Sequence, residues 1–177
     1  MKPSGRGELD SLYFTYPHFG SPNGAERDRL TDRTAVAIVG AGPVGMTAAL
    51  ALAKEEVASV LLDNKPTFND GSRAICVERQ SFYMLESLGV VAPFLKKSLS
   101  WTKGRSFYRN TQILEFEMQD GENEKYRPMY NIQQQYIEQF LYDTVAANDL
   151  IDTRWQSEVV AIEDMEDGVE LTVRDSE

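Results

Sequence analysis

The sequence predicts an α/β protein, and three features of residues 34–63 carry that prediction. Two short apolar runs, 35–39 and 58–62, have the length and composition of strands in a parallel sheet that are buried on both faces. Between them lie a glycine-rich turn and a run of helix-forming residues, 43–54, with proline in its first turn. A strand, a turn, a helix and a second strand in this order form a βαβ unit, and such units build parallel sheets. The expected fold is therefore Rossmann-like.

Two amphipathic helices are predicted further along the chain. The first covers residues 78–88 and ends at Gly89, a residue type that commonly terminates helices. The second covers residues 134–147. In each helix the apolar side chains recur at helical spacing on one face. These side chains are Phe82, Leu85 and Leu88 in the first helix, and Ile137, Phe140, Leu141, Thr144 and Val145 in the second.

A β-hairpin is predicted between the two helices. Its strands are residues 105–109 and 113–118, with Asn110 and Thr111 at the turn. The acidic and polar residues 119–125 follow it, and we expect them to form a solvated loop. This hairpin region, about residues 101–130, is the β-rich part of the predicted fold.

Two further strands, 154–163 and 169–174, are predicted near the end of the chain. The acidic segment 164–168, which ends in glycine, is expected to be the turn between them. The chain stops soon after the second strand, and we expect no natural domain boundary there.

Composition excludes several classes of function. A formal net charge of −10 argues against nucleic-acid binding and against an anionic membrane surface, because both require clustered Lys and Arg. One cysteine, Cys76, and one histidine, His18, leave too few ligands for a zinc or copper site, so no metal is expected. A lone cysteine fits a reducing cytoplasm, which is the expected location. Glycines and a proline interrupt the apolar run at 35–53, so no membrane span is expected.

The first 33 residues form a polar leader, and two alternatives stay open for it. The leader is partly disordered, or it is an arm whose aromatic side chains dock on the domain or on a second chain. The aromatic residues are Tyr13, Phe14, Tyr16 and Phe19. Residues 34–177 are expected to form the folded, partial domain, with the βαβ unit at 34–63.

The glycine-rich turn contains the motif G-x-G-x-x-G as Gly40-Ala41-Gly42-Pro43-Val44-Gly45. The three glycines have different expected roles, since Gly40 allows a sharp turn, Gly42 lets a pyrophosphate approach the backbone, and Gly45 lets the helix pack closely on the strand. The helix N-terminus offers unpaired N–H groups and a positive dipole end to phosphates. Asp63 ends the second strand, where a carboxylate accepts hydrogen bonds from an adenosine ribose and repels a 2′-phosphate. The sequence therefore predicts FAD or NAD binding, and not NADP.

Three segments together resemble one enzyme family. They are the turn GAGPVG with Asp63, the segment GSRAICVERQSFYMLESLG (71–89) and the segment NIQQQYIEQFL (131–141). The chain resembles the N-terminal part of the FAD-dependent aromatic-ring hydroxylases of the para-hydroxybenzoate hydroxylase type, the class A flavoprotein monooxygenases. Within them it is most similar to the branch that contains 3-(3-hydroxyphenyl)propionate hydroxylase. The first segment is shared by many flavoproteins, whereas the second and third are more discriminating.

The resemblance implies FAD as the cofactor and assigns residues to it. The glycines would face the pyrophosphate, Asp63 the ribose and Arg73 the phosphates. Gln134 and its neighbour Gln133 would contact the cofactor, and the backbone of Val159 would lie near the adenine. The full expected set is Gly40, Ala41, Gly42, Pro43, Val44, Gly45, Asp63, Asn64, Arg73, Gln134 and Val159.

The resemblance also implies an activity, in which NAD(P)H reduces FAD and O₂ supplies the hydroxyl group added to a phenolic compound. Family members are about twice this length or more. The hairpin at about residues 101–130 would form part of their substrate domain, whereas their Asp-Gly and Gly-Asp motifs and the rest of that domain would follow residue 177. The fold is thus expected to be incomplete relative to the family, and the chain alone is not expected to complete the reaction. No catalytic residue is assigned. A C-terminal partner chain or self-association is expected.

Alternatives remain for the function and for individual residues. The chain could be a non-hydroxylating FAD or NAD oxidoreductase module, or a non-catalytic interaction protein that has kept the fold. Arg73 could be a surface arginine and Gln134 only a helix-start residue. Arg79 is expected to be a solvated charge, with a position near the flavin as the alternative. Cys76 is expected to be a small packed side chain, and His18 to be inert.

Overall fold

The computed structural model describes residues 14–21, 33–69 and 76–175 of the 177-residue chain. Within these residues the helices are Pro43–Lys54 (α1), Arg79–Ser87 (α2), Val91–Lys97 (α3) and Gln134–Val145 (α4). The strands are Val36–Val39 (β1), Ser59–Leu62 (β2), Cys76–Glu78 (β3), Leu99–Trp101 (β4), Lys103–Tyr108 (β5), Thr111–Glu117 (β6), Met129–Asn131 (β7), Ile151–Arg154 (β8), Ser157–Met165 (β9) and Gly168–Asp175 (β10).

The predicted βαβ unit is present and carries the main sheet. β1 pairs with β2 in parallel, and β2 pairs in parallel with β8, which gives the order β1-β2-β8. Helix α1 connects β1 to β2, and its Met46 and Ala49 share one buried core with Leu61 of β2. The predicted α/β, Rossmann-like fold class with a β-rich hairpin is confirmed.

Strand β1 is less buried than its composition predicted. Its residues alternate between half-buried and exposed, and Val39 is 57% exposed, whereas β2 is largely buried as expected. The expectation of burial on both faces is wrong for β1. Among the described residues, α1 packs on the face of β1 that carries Ile38 and leaves the face that carries Ala37 and Val39 exposed.

The hairpin of β5 and β6 lies close to its predicted position, but its turn is one residue earlier. Tyr108 pairs with Thr111, so Arg109 and Asn110 form the turn, and Arg109 adopts φ of 51°. The prediction of Asn110 and Thr111 was wrong because the sequence gives no reason to place arginine in the left-handed region, which favours Gly, Asn and Asp.

The predicted strand 154–163 corresponds to β9, and only its first residue, Arg154, belongs to β8, which the prediction missed. β8 ends at Arg154, Trp155 and Gln156 form a tight turn, and β9 begins at Ser157. Neither turn residue is a typical turn former, and Gln156 adopts φ of 56°. The turn between β9 and β10 has two residues instead of five, because Met165 pairs directly with Gly168.

The two predicted amphipathic helices are α2 and α4, each within two residues of its expected ends. Helix α3 and the short strands β3, β4 and β7 had no counterpart in the prediction. β7 is the centre of the sheet β3-β7-β4, with antiparallel pairing on both sides. Three-residue strands are too short for a period of two to be recognised.

Two side chains lie in environments that differ from expectation. Arg79 is only 14% exposed, and its guanidinium makes 2.9 Å ion pairs with Asp120 and Glu124. The prediction of a solvated charge is therefore wrong. The acidic loop folds back over the start of α2 and supplies both partners. Cys76 is exposed on β3, and its thiol donates a hydrogen bond to Asn131 Oδ1 at 3.4 Å. The prediction of a packed side chain is therefore also wrong. Cys76 lies on the outward face of a strand whose residues alternate in exposure.

Part of the leader docks on the domain. Phe14 is buried, and Tyr16 and Phe19 pack against the same core. For residues 14–21 the docked arm is therefore the alternative that the structure supports; Tyr13 lies outside the described residues. The division of the chain at residue 33 stays a prediction. No helix in the described ranges is long and apolar enough to span a bilayer.

Candidate functional site

The glycine-rich turn has two positions at which the backbone requires glycine. Gly40 adopts φ of +106°, a conformation that L side chains rarely adopt, and its N–H donates to the Leu62 carbonyl at 2.7 Å. A Cβ at Gly45 would lie 1.9 Å from the Gly40 carbonyl oxygen and 3.3 Å from Cγ2 of Ile38. The absence of a side chain at Gly45 therefore lets α1 cross directly over the end of β1.

The N-terminus of α1 is open to a ligand. Gly42 is the N-cap residue in extended backbone, with no side-chain cap, and Pro43 begins the helix. A Cβ built on Gly42 would meet no described atom within 4 Å, and Val44 is 84% exposed. The first N–H groups of a helix have no intrahelical partners and carry the positive end of its dipole. The turn thus fits an anionic group such as a pyrophosphate.

Asp63 connects the end of β2 to the glycine-rich turn. Its Oδ2 accepts a hydrogen bond from the Ala41 N–H at 2.8 Å, and its Oδ1 accepts one from the Lys65 N–H at 2.9 Å. A carboxylate has about four acceptor positions, so these two bonds leave capacity for a hydroxyl donor. The side chain is therefore held in place by backbone groups and remains able to bind a ribose.

A cavity of about 220 Å³ lies beside Asp63. Four of the residues expected to contact the cofactor are brought together in its wall: Gly40, Asp63, Asn64 and Val159. The other lining residues, which sequence reasoning missed, are Val39, Leu62, Ser157 and Glu158. The Ser157 N–H donates to the Asp63 carbonyl at 2.8 Å, which brings β9 against the end of β2. The sequence would have indicated this contact only if the turn between β8 and β9 had been recognised in it.

Gln134 is placed at the start of α4, outside the cavity wall, and its side chain donates to Glu138 Oε1 at 2.7 Å. Its contact with the cofactor stays a prediction. Arg73 lies outside the described residues, together with the rest of 70–75.

Glu138 is a buried carboxylate that the sequence reasoning missed. It is 1% exposed and also accepts from the backbone N–H and the side-chain amide of Asn69, at 2.7 and 2.6 Å. Asn69 is the last described residue of the loop that begins at Asp63, so α4 anchors the far end of that loop. An acidic residue between the apolar positions Ile137 and Leu141 was the signal that could have indicated it.

Comparison with known proteins identifies a protein family that matches most of the chain. The FAD binding domain family matches residues 33–177. The chain is 26% identical over 144 residues to pentachlorophenol 4-monooxygenase of Sphingobium chlorophenolicum, a match that covers 79% of this chain and 26% of that protein. The chain thus spans about a quarter of the length of this curated relative.

Solved structures share the fold. p-Nitrophenol 4-monooxygenase PnpA from Pseudomonas putida DLL-E4 superposes with a TM-score of 0.70 and 20% identity, over 78% of this chain and 35% of that one. The flavin-dependent monooxygenase PieE, solved in complex with FAD and substrate, superposes with a TM-score of 0.72 and 23% identity, over 82% of this chain and 27% of that one. At these identities the likeness shows the fold alone.

Proposed function

Because this chain belongs to the FAD binding domain family, we propose that it holds the adenosine end of FAD in the cavity beside Asp63. Its resemblance to the class A flavoprotein monooxygenases is confirmed, and FAD is the cofactor that the family indicates. The placement of the cofactor rests on one observation above all. The Asp63 carboxylate is fixed by the Ala41 and Lys65 amides at the wall of a cavity next to an open helix N-terminus.

Each part of the site would contact a different part of the cofactor. The backbone of the turn from Gly40 to Gly45 would bind the pyrophosphate, and Gly42 leaves room for its approach. Asp63 would accept hydrogen bonds from the ribose hydroxyls. Asn64 and the backbone of Val159 would lie along the adenosine. The fixed positions of these groups would orient the cofactor without rearrangement on binding.

The activity that we propose is hydroxylation of a phenolic compound with NAD(P)H and O₂. FAD supplies the redox and oxygen chemistry when it is bound, and the described residues bind and orient it. The similarity to a chlorophenol monooxygenase supports a phenolic substrate. A C-terminal partner chain or self-association, and a cytoplasmic location, belong to the same proposal.

Replacing Asp63 with asparagine tests the ribose contact. The substitution preserves the size of the side chain but removes its charge and one acceptor, so the amide group opposes either the Ala41 or the Lys65 N–H. Loss of a charge-assisted hydrogen bond predicts FAD binding about tenfold weaker. The measurement is a titration of the purified protein with FAD, followed by flavin fluorescence.

The matched control is Asp164→Asn, which removes an exposed carboxylate from β9 at a distance from the cavity wall. It is expected to bind FAD as the parent does. If Asp63→Asn and Asp164→Asn both have the parent affinity, the assigned role of Asp63 is wrong.

A further inference from the structure

Residues 14–21, here called the strap, lie against the loop that carries the proposed ribose contacts. This loop begins at Asp63 and is described as far as Asn69, and its described part is called the 63–69 loop below. The Phe19 N–H donates to the Pro66 carbonyl at 2.7 Å, so the two segments share a backbone hydrogen bond. The family match begins at residue 33, so the family assigns no role to the strap.

Aromatic contacts hold the strap against this loop. The ring of Phe19 stacks on Trp155, with centroids 4.4 Å apart and planes 14° from parallel. It also makes edge contacts with Phe68 of the loop and with Tyr142 of α4, at 5.3 and 4.6 Å. Phe14, which is 7% exposed, packs its edge on Tyr136 at 5.2 Å. The strap therefore covers Phe68 and binds the loop to α4 and to the turn after β8.

Gln156 connects the strap, the loop and the cavity wall. Its side-chain amide donates to the Phe19 carbonyl at 2.8 Å, and its backbone N–H donates to the Lys65 carbonyl at 3.1 Å. Gln156 immediately precedes Ser157, which lines the cavity and bonds to Asp63. Gln156 makes both contacts with φ of 56°, in the left-handed region.

We propose that the strap is a positioning element that holds the 63–69 loop, with Asp63 and Asn64, in the conformation that binds FAD. The inference rests on the proposed function of the cavity. Without the strap, the loop loses the contacts to Phe68 and Pro66, and the Asp63 carboxylate loses its fixed orientation toward Ala41. Part of the free energy of FAD binding is then spent on ordering the loop.

Phe19→Ala tests this proposal in the full chain. The variant is expected to bind FAD about tenfold more weakly, because it loses a stacked ring pair and must order the loop on binding. In the protein without FAD, the Lys65 and Ala41 amides are expected to exchange hydrogen faster, whereas the amides of α4 keep their protection. Phe19→Tyr retains the stacked ring and should restore both properties.

Two controls make the result decisive. His18→Ala changes an exposed neighbour in the strap and should match the parent. If Phe19→Ala does not fold, Gln156→Asn is measured instead, because asparagine tolerates positive φ and its shorter side chain cannot reach the Phe19 carbonyl. Parent FAD affinity in the folded variant, or unchanged exchange at Lys65, overturns the proposal. A parent protein that binds no FAD overturns the proposed function, and exchange at Lys65 then still decides whether the strap holds the loop.

Discussion

Gly45→Ala is expected to abolish measurable FAD binding and to lower the free energy of unfolding by about 3 kcal/mol. A Cβ at this position would lie 1.9 Å from the Gly40 carbonyl oxygen, a distance that no Cβ contact tolerates. Because the obstructing atom belongs to the backbone, a rotamer change cannot relieve the clash. Helix α1 must move away from β1, which widens the turn and displaces the N–H groups that face the pyrophosphate.

Gly42→Ala provides the matched control for this effect. It lies three residues earlier in the same turn, with φ of −84°, and its Cβ would meet no described atom within 4 Å. The variant is expected to unfold at the same urea concentration as the parent. It should still bind FAD more weakly, because its methyl group occupies the path of the pyrophosphate. Equal stability of Gly45→Ala and Gly42→Ala would contradict the close packing of α1 on β1.

Glu138→Leu is expected to lower the free energy of unfolding by about 3 kcal/mol, because it removes a buried acceptor and leaves its hydrogen-bond donors unpaired. The carboxylate accepts three hydrogen bonds at 2.6–2.7 Å, two from Asn69 and one from Gln134. Leucine has a similar size but accepts none of them, which leaves three donors without their acceptor. Urea denaturation measures the loss, and a titration with FAD measures the expected loosening of the 63–69 loop.

Asp143→Leu is the control for Glu138→Leu. It also replaces an acidic side chain of α4, but Asp143 is exposed, so the stability should change by no more than about 0.5 kcal/mol. If the two variants lose similar amounts of stability, α4 tolerates no acidic-to-leucine change. The hydrogen bonds from Asn69 to Glu138 would then not explain the effect of Glu138→Leu.

The parts of this structure that could be predicted from the sequence are those whose conformation depends on residues close together in the chain. The strand, glycine turn, helix and second strand of residues 34–63 were predicted because each element has its own composition, and Gly45 confirms the close helix packing expected from the motif. The two amphipathic helices were predicted because their apolar side chains recur at helical spacing on one face.

The parts that were missed depend on contacts between distant segments. Arg79 was expected to be solvated because its partners, Asp120 and Glu124, lie some 40 residues away. The break at Trp155 and Gln156 has no turn signature, since the left-handed backbone of Gln156 is supported by bonds to Phe19 and Lys65. The same break positions Ser157 and Glu158 in the cavity wall, so these two of its eight lining residues could not be predicted locally.

The central claim is that this chain holds the adenosine end of FAD, and competition binding tests it most directly. The purified protein is titrated with FAD, and the complex is then challenged with ADP in one series and with FMN in another. The assigned contacts all concern the pyrophosphate and the adenosine, so we expect ADP to displace FAD and FMN to leave it bound. Failure of both FAD and ADP to bind, or displacement of FAD by FMN and not by ADP, would contradict the account.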